Sequence, residues 1–278
     1  DMTLGIRCLI TDDETEANRL AYELDRINRE RRAIEGDMQA SALENLVDVD
    51  TKTIYGLCLT DESWHQGVIG ILASRLKERY HRPVLIFANG SDASSEEPVL
   101  KGSGRSITGF HLRDALDWIS KKHPELILKF GGHAMAAGLT IPASRFDQFS
   151  EVFNEVAKLW LDESTLNRRL IHDGELTIEE IDTDLAQLLS DQVWGQGFPQ
   201  PLFFGNFEIT KQTLLKDKHL KLELLPVNRS TNSAKPLQAI WFGHSEPLPD
   251  KVNLAYRLGI DNFLGYPRTQ LFIEAAQL

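Results

Sequence analysis

The chain has 278 residues, 42% of them hydrophobic and 26% charged, and its 30 basic and 41 acidic side chains leave a net charge of −11. That balance excludes an intrinsically disordered chain. The acidic excess excludes a polyanion binder working by bulk charge alone, though it leaves room for a local basic cleft. No apolar run approaches the roughly 20 residues needed to span a bilayer.

The opening segment, DMTLGIRCLI, places no basic region ahead of an apolar one, so it is not a secretory signal. It lacks an initiator Met and enters a helical pattern at once, as expected for a piece of a longer protein. Cys8 and Cys58 sit in apolar stretches without metal-ligand spacing, which predicts buried thiols in a reducing, cytoplasmic setting. Thr11-Asp12-Asp13-Glu14 has the form of a helix cap. Ala17, Leu20, Ala21, Leu24, Ile27, Ala33, Ile34 and Met38 then recur at helical spacing as far as Leu46, interrupted by Gly36. The pattern predicts either one connector roughly 50 Å long or two shorter helices hinged at Gly36.

Residues 53–60 (TIYGLCLT) read as a strand. A helix follows with Val68, Ile71, Leu72 and Leu76 on one face, and Pro83 stops it before a second buried strand, VLIFA at 84–88. Strand, helix, strand at this spacing predicts a parallel pair. NGSDASSEEP (89–98) is a surface loop by composition, Val99–Ile107 a third strand running into a turn, and His111–Lys121 an amphipathic helix. After a Gly-rich turn come a strand at Ala136–Ile141 and a closing helix carrying Phe146, Phe149, Phe153 and Trp160. From Ile171 the texture changes to short alternating stretches separated by turn residues, with one short helix at Leu185–Val193, which predicts a small sandwich or barrel. The expected organisation is residues 1–49 as connector, 50–165 as an α/β domain and 166–278 as an all-β domain. The last 113 residues carry 11 basic and 14 acidic side chains, nearer neutrality than the rest.

Three motifs carry phosphate-binding chemistry. In Gly131-Gly132-His133-Ala134-Met135-Ala136-Ala137-Gly138, paired glycines bare their backbone N–H groups and suit a nest around an anion, beside which His133 can donate to a phosphate oxygen. In Lys101-Gly102-Ser103-Gly104-Arg105-Ser106, Arg105 offers a rigid fork and Ser103 or Ser106 a hydroxyl donor, with Gly104 between them; a plain hairpin turn is the alternative. In Trp64-His65-Gln66-Gly67-Val68-Ile69-Gly70, His65 lies at a helix N-terminus, where the dipole favours anions, either facing a ligand or capping the helix. In the last domain Lys211, Lys216, Lys218 and Lys221 cluster along one hairpin, interleaved with Phe207, Trp241, Phe242, Tyr256, Phe263 and Tyr266. Basic groups with aromatic faces are what single-strand binding requires, and most of these aromatics are expected in the barrel core. No HxxxH, CxxC or Asp/His cluster has metal-ligand spacing, and no Ser/His/Asp set has a nucleophile-elbow context.

These motifs in this order resemble the DHH phosphoesterase superfamily and, within it, the RecJ-type exonucleases. GGHAMAAG is similar to the hallmark of the DHH-associated domain, and KGSGRSI and WHQGVIGILASRL to its RecJ version. The tail from WGQGFPQPLF to YRLGIDNFLG is similar to the RecJ oligonucleotide-binding (OB) fold, and ELDRINRERR to the connector. The resemblance implies an α/β DHH-associated domain with a long N-terminal connector helix, followed by an all-β OB-like barrel. It further implies the substrate-binding half of a single-stranded-DNA exonuclease acting 5′→3′ in repair and recombination. Mn2+ or Mg2+ would be held by Asp and His of a separate N-terminal DHH domain and not by this segment. Ser103, Arg105 and His133 would face that metal centre and hold the 5′ end or the scissile phosphate. Partners would be single-stranded DNA, a single-strand-binding protein and a helicase, with no membrane. The competing readings are a DHH-family oligoribonuclease or nucleotide phosphatase, which normally ends near the Gly-Gly-His domain, and a non-catalytic strand-binding or partner-docking module. Alanyl-tRNA synthetase editing proteins carry a related domain, but their metal-binding motif has no counterpart here.

Overall fold

A computed structural model describes residues 2–44, 46, 53–90, 97–195, 197–227, 236–263 and 265–277. Residues 91–96 of the expected surface loop lie outside the described residues, as do Asn45 near the expected helix end, Gln196 and Leu264. The chain divides into two compact units, one ending at Arg168 and the other beginning at Arg169.

In the first unit α1 (Met2–Ile10) leads into α2 (Glu14–Glu44). Asp13 starts α2, its Oδ1 accepting from the N–H groups of Thr15 and Glu16 at 2.8 and 3.3 Å. The helix runs through Gly36 unbroken for 31 residues, a span of about 46 Å, so the hinge alternative is not adopted. Its middle keeps Leu24, Ile27 and Ile34 without full burial and is laced by ion pairs about one turn apart, such as Arg26 with Glu23 and Glu30 at 2.6 and 2.5 Å. Its C-terminal part is anchored. Met38 and Ala42 are buried, and Glu35 bridges Arg31 and Arg75, each at 3.2 Å.

The remaining elements are β1 (Leu57–Thr60), α3 (Ile69–Tyr80), β2 (Val84–Gly90), β3 (Val99–Arg105), α4 (Leu112–Lys122), β4 (Lys129–Gly132), β5 (Ala136–Pro142), α5 (Phe146–Trp160) and α6 (Glu163–Leu166). They build a mixed sheet in the order β1-β2-β3-β5-β4, with β1 and β2 parallel and the other neighbours antiparallel. The expected βαβ unit is therefore present, but β1 is shorter than 53–60. The N–H groups of Tyr55 and Gly56 leave the ladder and donate to Asn154 Oδ1 at 2.8 and 3.1 Å. α4 begins after His111, whose Nδ1 caps it by accepting from Asp114 N–H.

One face of the sheet packs Leu85, Phe87, Leu139 and Ile141 against α4 and α5, with Phe149 stacked on Phe153 at 6.2 Å. The other packs Leu57, Val84, Ile86 and Ala88 against Leu72 and Leu76 of α3 and the end of α2. β4 was not expected: 129–132 reads as a Gly-rich turn because paired glycines have poor strand propensity. The ladder to β5 supplies what propensity does not.

The second unit holds α7 (Thr183–Ser190) and strands β6 (Phe203–Leu215), β7 (His219–Pro226), β8 (Leu237–Phe242), β9 (Lys251–Asp261) and β10 (Arg268–Gln277). α7 starts before the expected Leu185 because Asp182 Oδ1 accepts from Leu185 N–H at 2.8 Å. The strands close into a barrel in the order β10-β8-β7-β6-β9. Only β8 and β10 pair in parallel, which is the five-stranded OB arrangement. Inward residues alternate along each strand (Leu220, Leu222, Leu224; Val252, Leu254, Tyr256, Leu258), as the period of two demands.

Candidate nucleic-acid interface

In the first unit the site begins as strand alternation. Lys101, Ser103 and Arg105 share one face of β3, with Gly102 and Gly104 on the other. Pairing extends each of the three across the sheet. Lys101 lies beside Thr140 and then Lys129, Ser103 beside Gly138 and then Gly131, and Arg105 beside Ala136. His133 follows where β4 turns, its backbone N–H donating to Ala136 O at 2.8 Å. The strands are about 4.8 Å apart and the rows about 6.7 Å. The middle row ends in two glycines with nothing over them. A Cβ on Gly131 would meet no atom within 4 Å, and one on Gly138 only Gly102 O at 3.8 Å. The result is a trough of about 420 Å³ between Lys101 and Lys129, floored by bare peptide.

Arg105 is held in place by neutral groups. Its Nη1 donates to Gly104 O at 2.8 Å and to Ser103 Oγ at 3.3 Å, and it has no other hydrogen bond among the described residues. The first turn of α3 lies over this pair. A Cβ on Gly70 would sit 3.0 Å from Ser103 Oγ and 3.2 Å from Arg105 Nη2. The arrangement leaves a planar guanidinium, a hydroxyl and a helix N-terminus beside an open trough, the donors a phosphate takes.

The motif residues fall into two groups. Ser103, Arg105 and Gly131 lie on this face, and His133 is exposed at its edge. Two readings need correction. Gly104 is buried and faces the core, where a Cβ would meet Leu112 Cδ2 and Leu85 Cδ2, both at 2.6 Å. It serves packing, and its carbonyl orients Arg105. Ser106 is 1% exposed, its Oγ donating to Phe110 O at 2.7 Å and its N–H to Met135 O, so neither donor is available to a ligand. Nor do the paired glycines form a nest. They lie in an edge strand, and Gly132, at φ +146°, is glycine because a Cβ would strike Ala136 O at 2.4 Å.

His65 is exposed, with Nδ1 accepting from Gly67 N–H at 3.0 Å in the turn ahead of α3, while Trp64 belongs to the core. The sequence reading held Gly70 and Gly138 only as members of their motifs and missed Lys129 and Thr140. The signal for Gly138 was present in its motif, but its partnership with Gly131 needs the register of β4 on β5. Among the described residues no three His, Cys, Asp or Glu side chains are grouped as metal ligands.

On the second unit the four lysines do not form one track. Lys216 and Lys218 belong to the three-residue turn between β6 and β7, where Lys216 and Asp217 take positive φ of 51° and 53° and Lys218 N–H donates to Leu215 O at 3.1 Å. Lys211 lies opposite Glu223, and Lys221 opposite Thr213 and beside Ile240. Lys211 thus has an acidic cross-strand neighbour, whereas Lys221 stands beside an apolar strip. The aromatics are less buried than expected, with two of the six in the core instead of most of them. Phe207 and Tyr256 are core and Trp241 is half-buried, stacked on His244 at 3.8 Å. Phe242, Phe263 and Tyr266 are exposed. Phe242 stacks with Phe272 at 6.3 Å and takes the edge of His219 at 5.2 Å, making an outward platform over β7, β8 and β10.

Comparison with known proteins covers both units. Residues 50–159 match the model of the DHHA1 domain and residues 172–275 that of the RecJ OB domain. The chain is 44% identical over 283 aligned residues to the single-stranded-DNA-specific exonuclease RecJ of Salmonella typhimurium, covering 99% of this chain and 48% of that protein. The RecJ of Escherichia coli K12 matches to the same extent, 44% over 283 residues with the same coverage of each chain. The chain thus spans about half the length of these relatives. In fold it is similar to the crystal structure of RecJ in complex with Mg2+ from Thermus thermophilus, with a TM-score of 0.72 at 24% identity, over 99% of this chain and 40% of the other. With a DHHA1 domain followed by a RecJ OB domain, and a match over 99% of its length, the chain belongs to the RecJ family as its C-terminal portion.

Proposed function

We propose that this chain is the substrate-gripping half of a 5′→3′ exonuclease specific for single-stranded DNA, working in repair and recombination in the cytoplasm. The observation that carries the reading is the open face of the first sheet. Its bare glycine floor lets a sugar–phosphate backbone approach the peptide, and Arg105, Ser103, Lys101 and Lys129 bring donors for phosphate oxygens to the same face. Arg105 and Ser103 hold the 5′ end or the scissile phosphate, and His133 at the hairpin edge positions it. Hydrolysis belongs to the whole protein. This reading assigns the Mn2+ or Mg2+ that the family implies to the other half, a choice supported by the lack of a three-ligand cluster among the described residues. The barrel guides the strand, with Phe242 and Phe272 stacking bases and Lys221 following the backbone. In the cell a single-strand-binding protein and a helicase would present the strand.

The test is fluorescence anisotropy of the chain with a single-stranded oligonucleotide, 5′-phosphorylated against 5′-hydroxyl, at one fixed low salt. Tighter binding of the phosphorylated end is expected. Equal affinity would remove end recognition from the sheet face and leave the chain a general strand-holder.

On the barrel, Phe242→Ala is expected to weaken oligothymidylate binding by about 1–3 kcal/mol, the worth of one stacked base. Lys221→Ala is expected to flatten the log–log salt slope by about 1, and Lys211→Ala by less, because Glu223 is its cross-strand neighbour. A slope unchanged by Lys221→Ala would take that lysine off the strand's path.

A further inference from the structure

Where the chain leaves β3 after Arg105, the C-terminal end of α3 borders a second cavity of the first unit, of about 190 Å³. Lys77, His81, Thr108 and Arg168 line it, over apolar ground from Ile107 and Met135. Lys77 lies two turns along α3 from Gly70 and on the same stripe of the helix, about 10 Å from the turn that covers Arg105. The cluster is short of counter-charge. Arg168 is exposed and has no hydrogen bond or ion pair among the described residues. The one carboxylate on the lining, Glu78, stands 3.9 Å from both Arg75 and Lys77 and is outnumbered. A helix C-terminus ordinarily disfavours an anion, but here Arg82 covers it. Its Nη1 donates to Tyr80 O and His81 O at 3.2 and 3.0 Å. The same nitrogen donates to Leu166 O at 3.0 Å, which pins the segment carrying Arg168 beside the end of α3. Cations from two separate stretches of chain are thus held together around one cavity.

We propose that this cavity is a second phosphate site, taking the phosphate monoester of a free mononucleotide, the kind of product that end-wise hydrolysis of a strand releases. The ligand's source rests on the function proposed above. Charge and size select a monoester over the strand's internal phosphodiesters. A monoester carries about −1.5 to −2 at neutral pH, and its three terminal oxygens can take the Arg168 fork, the Lys77 ammonium and the Thr108 hydroxyl together. The cavity has less than half the volume of the trough of about 420 Å³, which suits a terminal phosphate better than a continuing backbone.

The test is calorimetric titration of the full 278-residue chain with thymidine 5′-monophosphate, with thymidine as the blank. It is run in the parent chain and in Arg105→Ala, where the trough's own end site is removed. In both backgrounds Arg168→Ala and Lys77→Gln are each expected to weaken monophosphate binding about tenfold or more, the scale of a charge-assisted hydrogen bond. His81→Asn should share the loss, since asparagine accepts the left-handed backbone that His81 holds at φ 49°. Arg168→Ala keeps the fold, because that side chain is exposed and bonded to nothing among the described residues. Anisotropy with the 5′-phosphorylated and 5′-hydroxyl oligonucleotides should be unchanged by Arg168→Ala. Monophosphate affinity that survives Arg168→Ala and Lys77→Gln, or a loss that falls on the oligonucleotides instead, would overturn the proposal. A 5′-end preference that survives Arg105→Ala would count against the trough alone and leave this cavity standing.

Discussion

Arg105→Ala is expected to abolish the preference for a 5′-phosphorylated end and to cost about 2 kcal/mol of affinity for that oligonucleotide, roughly a thirtyfold loss, the worth of a hydrogen bond to a charged group. The reason is placement. The guanidinium is held by Gly104 O and Ser103 Oγ, neither of them charged, so no ion pair among the described residues offsets its positive charge before a phosphate arrives. Removing it deletes both the charge and the fork, whereas Arg105→Lys retains only the charge and should recover part of the affinity. The 5′-hydroxyl oligonucleotide is the internal control. Its affinity should fall far less, and a parallel fall for both ends would show that Arg105 grips the strand without reading its terminus. The melting temperature should barely move, because the side chain is partly exposed and its two bonds are surface bonds. Anisotropy titrations of the three proteins with the two oligonucleotides decide the matter.

Gly102→Ala is expected to destabilise the first unit by about 3 kcal/mol while leaving the trough's donors in place. A Cβ there would fall 2.5 Å from both Leu139 Cδ2 and Phe87 Cε1. Phe87 cannot give way, since it is fully buried and packs edge-on to Phe146 and Phe149, each at 5.6 Å. Overpacking of this kind costs about 1–3 kcal/mol, occasionally more, and for a unit of this size lowers the melting temperature by roughly 6–12 °C. Gly131→Ala is the contrast, with no atom near the added methyl. It should leave the melting temperature within about 1 °C and instead roughen the trough floor, weakening oligonucleotide binding. Calorimetric melting of the two variants side by side tests the division. Equal losses of stability would mean that Gly131, too, is a packing glycine.

That division was invisible in the motifs. KGSGRSI and GGHAMAAG both read as phosphate-binding motifs, the first at the end of the expected strand Val99–Ile107 and the second opening on a Gly-rich turn, because glycine beside a hydroxyl or a base is what such sites contain. In the fold both are strand. Gly102 and Gly104 look inward at Phe87, Leu139, Leu85 and Leu112, and Gly132 is required by the hairpin's own backbone. Of the five glycines in the two motifs, Gly131 and Gly138 open the trough. A glycine's neighbours along the chain do not reveal which atoms approach it from other elements. The same limit hid the burial of Ser106 and the pairing of Lys211 with Glu223.

Local chemistry was enough for much of the rest. Alternation along Leu220, Leu222 and Leu224, helical spacing along α2, and strand-helix-strand spacing at 57–90 are carried by neighbouring residues, so the two kinds of unit, the parallel pair and the barrel were legible before any contact was known. So was the placement of Ser103 and Arg105 on one side of a strand, since residues two apart in a strand share a face. What lies beside them across the sheet was not legible. Gly138, Gly131 and Lys129 join them through pairings between strands far apart in the chain, set by the register of β3, β5 and β4. Tertiary structure alone makes those choices, because register is fixed by which faces the core can bury, and that is a property of the assembled sheet.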